Sequence, residues 1–256
     1  IETVLMRYSY GNTVCVSTQV GCRMGCRFCA STQGGRVRNL TAGEIANEVY
    51  AAARDTGERV SHIVLMGIGE PLDNFDHVMD FLSIISSPNG VNIGMRNISL
   101  STCGLVPMIY KLAERHLGLT LSVSLHAPTD EMRSSMMPVN DVYPVEQLIR
   151  ACRDYQQETG RRVSFEYSMV NGVNDSPQTA RRLAQLIKGM GAHVNLIPIN
   201  PVDGSPYSAT DAANVKRFQT LLTELGVNAT VRRRLGTDIS AACGQLRREA
   251  KGGTTA

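Results

Sequence analysis

The chain has no tryptophan, and aromatic residues make up only 5% of its 256 residues. That scarcity argues against a broad aromatic platform on which successive nucleic-acid bases would stack. No apolar run approaches the roughly 20 residues that a membrane-spanning helix needs, and the first residues do not resemble a signal peptide. A membrane protein is excluded on that ground, and a cytoplasmic location is expected. The seven cysteines are an odd set, which suits functional thiols in a reducing compartment better than a disulfide framework. Charge of one sign is also scarce: the net value of +3 is too mild to demand a polyanionic partner. Basic residues do gather at Arg36 and Arg38, at Arg232 to Arg234, and at Arg247, Arg248 and Lys251, a weak hint of phosphate contact.

What is present indicates one large domain. Apolar residues at 43% and charged residues at 19% are ordinary for a globular protein. A chain of this length buries roughly 70 to 75% of its unfolded surface, so one core suffices without disulfides. It starts at Ile1 rather than Met, which implies that residues once preceded it.

Six short apolar runs have strand length and turn-like flanks: 13–18, 62–66, 97–102, 119–126, 163–170 and 193–199. Helical signals lie between them. Thr41 and Glu44 form a capping box ahead of Ile45, Val49 and Ala53, with Gly57 as the stop. Pro144 opens a second clear helix, Ser176 and Pro177 a third, and Val215, Phe218, Leu222 and Leu225 stripe a fourth. Alternating strands and helices predict a parallel sheet. In 119–126 and 163–170, apolar residues alternate strictly with polar ones such as Ser122, Ser124, Glu166 and Ser168. A strand between two helix layers would be apolar on both faces, whereas a curved sheet with helices outside can expose a polar interior. The prediction is an α/β fold, a partial (β/α)6 TIM-like barrel with an open, polar-lined interior and its site at the carboxyl ends of the strands.

The loop after the first predicted strand reads "GCRMGCRFCA" and places Cys22, Cys26 and Cys29 within eight positions. Structural zinc takes four ligands, as does a ferredoxin-type cluster. A zinc reading needs a distant fourth ligand, while three thiolates suit a 4Fe-4S cluster that keeps one iron open. "MGIGEP" at 66–71 is a poor dinucleotide fingerprint, lacking a third glycine at the right spacing, but its glycines can let backbone approach a ligand. Cys15 by itself reads as a small core residue, Cys152 as core on a helix face, and Cys103 as structural.

The C-x3-C-x2-C spacing, with Phe28 before the last cysteine, resembles the radical S-adenosylmethionine (SAM) superfamily. "IETV", "CVSTQVGC", "CRFCAS", "RNLTAGEI", "GIGEPL", "LSTCG", "SLHAP", "IPINP" and "DISAACGQL" narrow the resemblance to the RlmN/Cfr family of ribosomal RNA adenine methyltransferases, in order from Ile1 to about Leu246. The family's small helical accessory domain, which usually precedes this part, is not seen in the sequence. The resemblance implies one catalytic domain over 1–256, with 227–256 as an extension carrying a reactive cysteine loop.

It also implies a 4Fe-4S cluster on Cys22, Cys26 and Cys29, with SAM held by Gly69, Glu70, Ser101, Ser124, Leu125, His126 and Asn200. Two SAM molecules are used per turnover: one methylates Cys243, and the other supplies the radical that takes a hydrogen from that methyl. Carbon 2 of adenine is electron-poor and does not attack SAM directly, which is why a carbon radical is required. Glu2 then corresponds to the proton acceptor, and Cys15 to the thiol that releases the product by a transient disulfide with Cys243. The implied partners are 23S ribosomal RNA, some transfer RNAs, and a flavodoxin-like or other low-potential reductant. A monomer is expected, acting on a base flipped from its stack. Methylation of carbon 8, as in Cfr, is the near alternative; a non-catalytic iron-sulfur RNA-binding protein is the alternative of another class.

Overall fold

The computed structural model describes residues 1–200, 202, 204–232 and 244–246. Among these described residues, ten strands and seven α-helices follow one another as β1 Val4–Tyr8, β2 Gly11–Cys15, β3 Gln19–Gly21, β4 Arg36–Asn39, α1 Ala42–Thr56, β5 Val60–Leu65, α2 Phe75–Ser86, β6 Ile98–Thr102, α3 Val106–Ala113, β7 Thr120–Ser124, α4 Asp130–Met136, α5 Val145–Thr159, β8 Val163–Met169, α6 Pro177–Leu186, β9 His193–Pro198, α7 Ala212–Glu224 and β10 Asn228–Val231. One sheet of eight strands runs β1-β2-β5-β6-β7-β8-β9-β10. From β2 to β10 every neighbouring pair is parallel, and only β1 runs antiparallel, against β2. The six predicted strands are all present within this curled, open sheet, and a partial TIM-like barrel is the observed architecture.

Local chemistry fixes the helix starts. Thr41 accepts from the Glu44 N–H while Glu44 accepts from the Thr41 N–H, the reciprocal capping box that satisfies two orphan donors of α1. At the other end Gly57 takes φ 69°, and its N–H reaches the Ala53 carbonyl. Ser176 caps α6 through the Thr179 N–H, and Asp211 caps α7 through the Asn214 N–H. Each cap follows a strand or loop closely enough to return the chain over the outside of the sheet.

The outward faces of the strands and the inward faces of the helices make one core. Leu121 and Val123 on β7, Phe165 and Tyr167 on β8, and Val194 and Leu196 on β9 are all fully buried there. Helices pack in pairs over it, α1 on α2, α3 on α5 and α6 on α7. The opposite faces of the same strands carry Ser122, Glu166 and Ser168, buried as well but polar, and these line the inside of the barrel. Three pieces of sheet, β1, β10 and the β3–β4 pair, have no counterpart among the predicted strands. β1 makes a hairpin with β2, and β10 pairs with β9 as the far edge, its residues mostly exposed. A second small sheet, β3 with β4, forms a hairpin around the cysteine loop.

Candidate active site

A cleft of about 160 Å³ opens at the carboxyl ends of the strands. Cys22, Cys26 and Cys29 form one wall, Gly69 and Glu70 a second, and Ser101, Ser124 and His126 the ends of β6 and β7. Asn200 closes it from beyond β9. Of the predicted SAM-contacting set only Leu125 does not line the cleft. Its side chain is fully buried in the core, its N–H donates to the Glu166 carbonyl, and its own carbonyl accepts from Arg133.

The cysteine loop is braced from several sides. The Arg27 N–H donates to the Met136 carbonyl at the end of α4, and Gly25 packs against Pro138. Asp73, nearly buried, accepts from Arg23, Arg36 and Gln19, tying the loop and the β3–β4 hairpin to the segment after Glu70. The glycines of "GIGEP" approach protein rather than open space. A Cβ on Gly67 would lie 2.7 Å from the Val16 carbonyl oxygen, and one on Gly69, at φ 111°, would lie 2.9 Å from the Gln19 nitrogen. They let this loop weld to the chain after β2, through Thr18 N–H to Ile68 O at 2.8 Å and Gly67 N–H to Val16 O at 3.0 Å. The same tight turn brings Glu70 into the cleft.

Glu70 is almost wholly buried, and its carboxylate accepts from the Leu72 N–H at 3.0 Å and the Cys103 N–H at 2.7 Å. Burial pushes its carboxyl up, against the pull of these donors. His126 takes φ 57°, an uncommon conformation for a residue with a side chain. Several bonds hold it there: its Nδ1 accepts from the Ser168 N–H at 2.9 Å, and its carbonyl accepts from Asn174 at 2.7 Å. The Phe28 ring meets it edge to face at 4.9 Å. Burial first, and then the Arg133 charge, drive the imidazole down to about 3, so it stays neutral with the proton on Nε2. Glu166 is buried beneath, accepting from Asn195 at 2.8 Å, with its carboxyl pushed up by burial and drawn back by the Arg232 charge.

Cys15 and Glu2 do not line the cleft, yet the fold brings them together. Val4 pairs with Cys15 in the antiparallel register, and the Ser17 hydroxyl donates to the Glu2 carbonyl at 2.8 Å. Both therefore sit at one end of the β1–β2 hairpin, beside the chain that leads to Cys22. Cys243 lies outside the described residues, as does most of 227–256. Its neighbour Gly244 lines the cleft, and the Gly244 carbonyl accepts from the Ala30 N–H at 2.8 Å. Cys152 is fully buried on α5, as its place on an apolar face suggests, while Cys103 reaches the cleft wall next to Glu70.

Residues 16–184 match the radical SAM superfamily. The chain is 57% identical to a protein named probable dual-specificity RNA methyltransferase RlmN from Desulforamulus reducens, over 97% of this chain and 71% of that one. The RlmN of Desulforudis audaxviator is 56% identical over 97% and 78%. The crystal structure of a radical SAM methyltransferase from Sphaerobacter thermophilus superposes with a TM-score of 0.94 at 51% identity, covering 96% of this chain and 73% of that one. The chain belongs to the RlmN family of radical SAM RNA methyltransferases.

Membership of the RlmN family implies a 4Fe-4S cluster and SAM, and the donor set fits them. Burial pushes the Cys22 thiol up to about 12 and Cys26 well above the usual thiol range, with Cys29 adding to both. Crowded thiols, two of them buried, become thiolates only against a strong local positive charge, which bound iron provides. Among the described residues no three His, Cys, Asp or Glu side chains converge on a single ion. A structural zinc needs a fourth ligand, whereas a four-iron cluster offers each of the three thiolates on this cleft its own metal. Among the described residues no helix is long and apolar enough to cross a membrane.

Arg133 is the site residue that sequence reasoning missed. It is fully buried behind the cleft, although "DEMRSSM" reads like an exposed helix. The signal available was the apolar pair Met136 and Met137 just beyond it, which turns that helix inward.

Proposed function

We propose that this RlmN-family chain methylates carbon 2 of an adenine in 23S ribosomal RNA, and in some transfer RNAs, as a monomer in the cytoplasm. The observation that carries the reading is the convergence of the three cysteines, the "GEP" loop and the polar ends of β6 and β7 on one cleft. Cys22, Cys26 and Cys29 would hold the cluster, with Gly69, Glu70, Ser101, Ser124, His126 and Asn200 around SAM and Leu125 contributing only as the spacer between two of them. When bound, the cluster and two SAM molecules supply a methyl group and, with an electron from a low-potential reductant, the means to activate it as a carbon radical.

The chain's own residues determine what is done with that methyl. Cys243, in the 227–256 extension of the single catalytic domain, carries it as S-methylcysteine. Glu2 accepts the proton that leaves the adenine ring carbon. The Cys15 thiol then frees the product by pairing with Cys243, and its place beside Glu2 at one end of the β1–β2 hairpin supports this division of work. A scarcity of aromatics leaves recognition to RNA shape and phosphates.

Two variants test the assignment. Cys243→Ala should transfer no methyl, and Cys15→Ala should accumulate a covalent protein–RNA species visible as a shifted band. The reverse pattern would exchange the two roles, and two variants indistinguishable from wild type would overturn the reading.

A further inference from the structure

Arg133 is fully buried, and among the described residues no carboxylate is bonded to its guanidinium. Its Nη2 donates to the Cys103 carbonyl at 2.6 Å and the Ser124 carbonyl at 3.2 Å, its Nε to the Leu125 carbonyl at 3.2 Å, and its Nη1 to Asn140 Oδ1 at 3.1 Å. All four acceptors are neutral, and three are carbonyls at the carboxyl ends of β6 and β7. Gly104 makes the approach possible: a Cβ there would lie 3.2 Å from Nη2. Among the described residues no ion pair involves Arg133. Asp130, a carboxylate that feels its charge, spends Oδ1 on the Val145 N–H at 2.7 Å and on Asn140 at 3.1 Å.

A buried charge costs several kcal/mol in lost hydration, and carbonyl dipoles return only part of that. Such a site points to a missing anion. The groups Arg133 acts on most are Cys103 and Cys26, both on the cleft wall. Cys26 packs in one buried group with Met136 and Met137, the residues that end the helix bearing Arg133. The Met136 carbonyl also takes the Arg27 N–H, fixing the cysteine loop over this helix.

We propose that Arg133 is a built-in counter-charge for the iron–sulfur group: a positioning residue that touches no ligand atom and raises the group's one-electron reduction potential. The reduced cluster carries one more negative charge than the oxidised one, so a fixed cation in a poorly screened interior stabilises the reduced form more. The inference rests on the cluster reading above. It assigns to the protein a means of easing electron entry that is separate from the three ligands.

The test is a redox titration of the anaerobically reconstituted protein, followed by electron paramagnetic resonance, with bound iron measured alongside. At the ambient potential where wild type is half reduced, Arg133→Gln should show about a tenfold lower ratio of reduced to oxidised cluster, a shift of 59 mV for one electron. Arg133→Lys, which keeps the charge and loses the fork, should stay within about threefold of wild type. Asp130→Asn leaves the guanidinium cradle in place, removes an opposing charge and should raise the ratio about threefold. It decides the question if the Arg133 variants do not fold. Equal potentials for wild type and Arg133→Gln, equal falls for Gln and Lys, or no rise in Asp130→Asn would each overturn the inference. Failure of the wild type itself to take up iron would instead overturn the cluster reading beneath it.

Discussion

Phe165 and Glu166 are consecutive on β8, equally hidden from solvent, and opposite in purpose. Phe165 faces outward and is fully buried among the helices; Glu166 faces inward, accepts from Asn195 and lines the cleft. The same division runs along β7, where Leu121 and Val123 face the core while Ser122 and Ser124 face the barrel. One curved sheet thus separates the two requirements of this protein. The outer face obtains stability from apolar contact, and the inner face keeps desolvated polar groups at fixed positions. Placing such groups is expensive, and Glu70, His126 and Glu166 are each tied to backbone or to another side chain.

Substitutions on the two faces should therefore fail in different ways. The largest effect on chemistry is expected for Cys26→Ala at the cleft: under the proposed ligand assignment this variant should abolish reductive SAM cleavage, with bound iron reduced in parallel. Phe165→Ala on the outer side should cost ~3–5 kcal/mol of unfolding free energy, measured by urea denaturation, with iron uptake retained in the folded fraction. Its neighbour should behave differently: Glu166→Gln preserves shape and an acceptor for Asn195, so stability should change by less than ~1 kcal/mol while the KM for SAM or RNA carries the defect. A loss of stability in Glu166→Gln equal to that in Phe165→Ala would remove the distinction between the faces.

Two carboxylates one turn apart on α1 sharpen the same point with pH. Glu44 is exposed and held down to about 2 by Arg38 and by the Thr41 N–H. Glu48 is pushed up to about 7 by burial, although Thr3 and the Ser17 N–H both donate to it. A folded-state value above the unfolded one means that the folded protein binds more protons between them. Stability should then fall as pH rises from about 4.5 to about 7, by roughly 2–3 kcal/mol from this group. Glu48→Gln should flatten that part of the curve, and an unchanged slope would contradict the assignment. A smaller, pH-independent effect is expected at the exposed end of the helix, where Thr41→Ala should cost ~1 kcal/mol at any pH in this range.

Much of this arrangement is legible in the amino-acid sequence alone. The alternation in 119–126 and 163–170 revealed a sheet with a polar interior, and Thr41, Ser176 and Gly57 marked helix ends because capping is local chemistry. The family motifs located the cleft residues. β10 was hidden because Asn228–Val231 is a mostly exposed edge and lacks an apolar rhythm. The meeting of Glu2 with the Cys15 end of β2 depends on the register of an antiparallel pair, which no short stretch encodes. Arg133 was hidden for a different reason: its burial is decided by carbonyls at the ends of β6 and β7, far from it in sequence. "GIGEP" carried a mixed message. Its glycines were needed, but they serve close packing against Val16 and Gln19 while Glu70 reaches the cleft.

The central claim is that this cleft modifies carbon 2 of adenine in RNA. The measurement that meets it most directly is mass spectrometry of digested ribosomal RNA after incubation with the anaerobically reconstituted protein, SAM and a low-potential reductant. The account predicts 2-methyladenosine, present only when all three are supplied and absent with Cys243→Ala. Finding 8-methyladenosine in its place, or unmodified RNA alongside intact SAM, would contradict it.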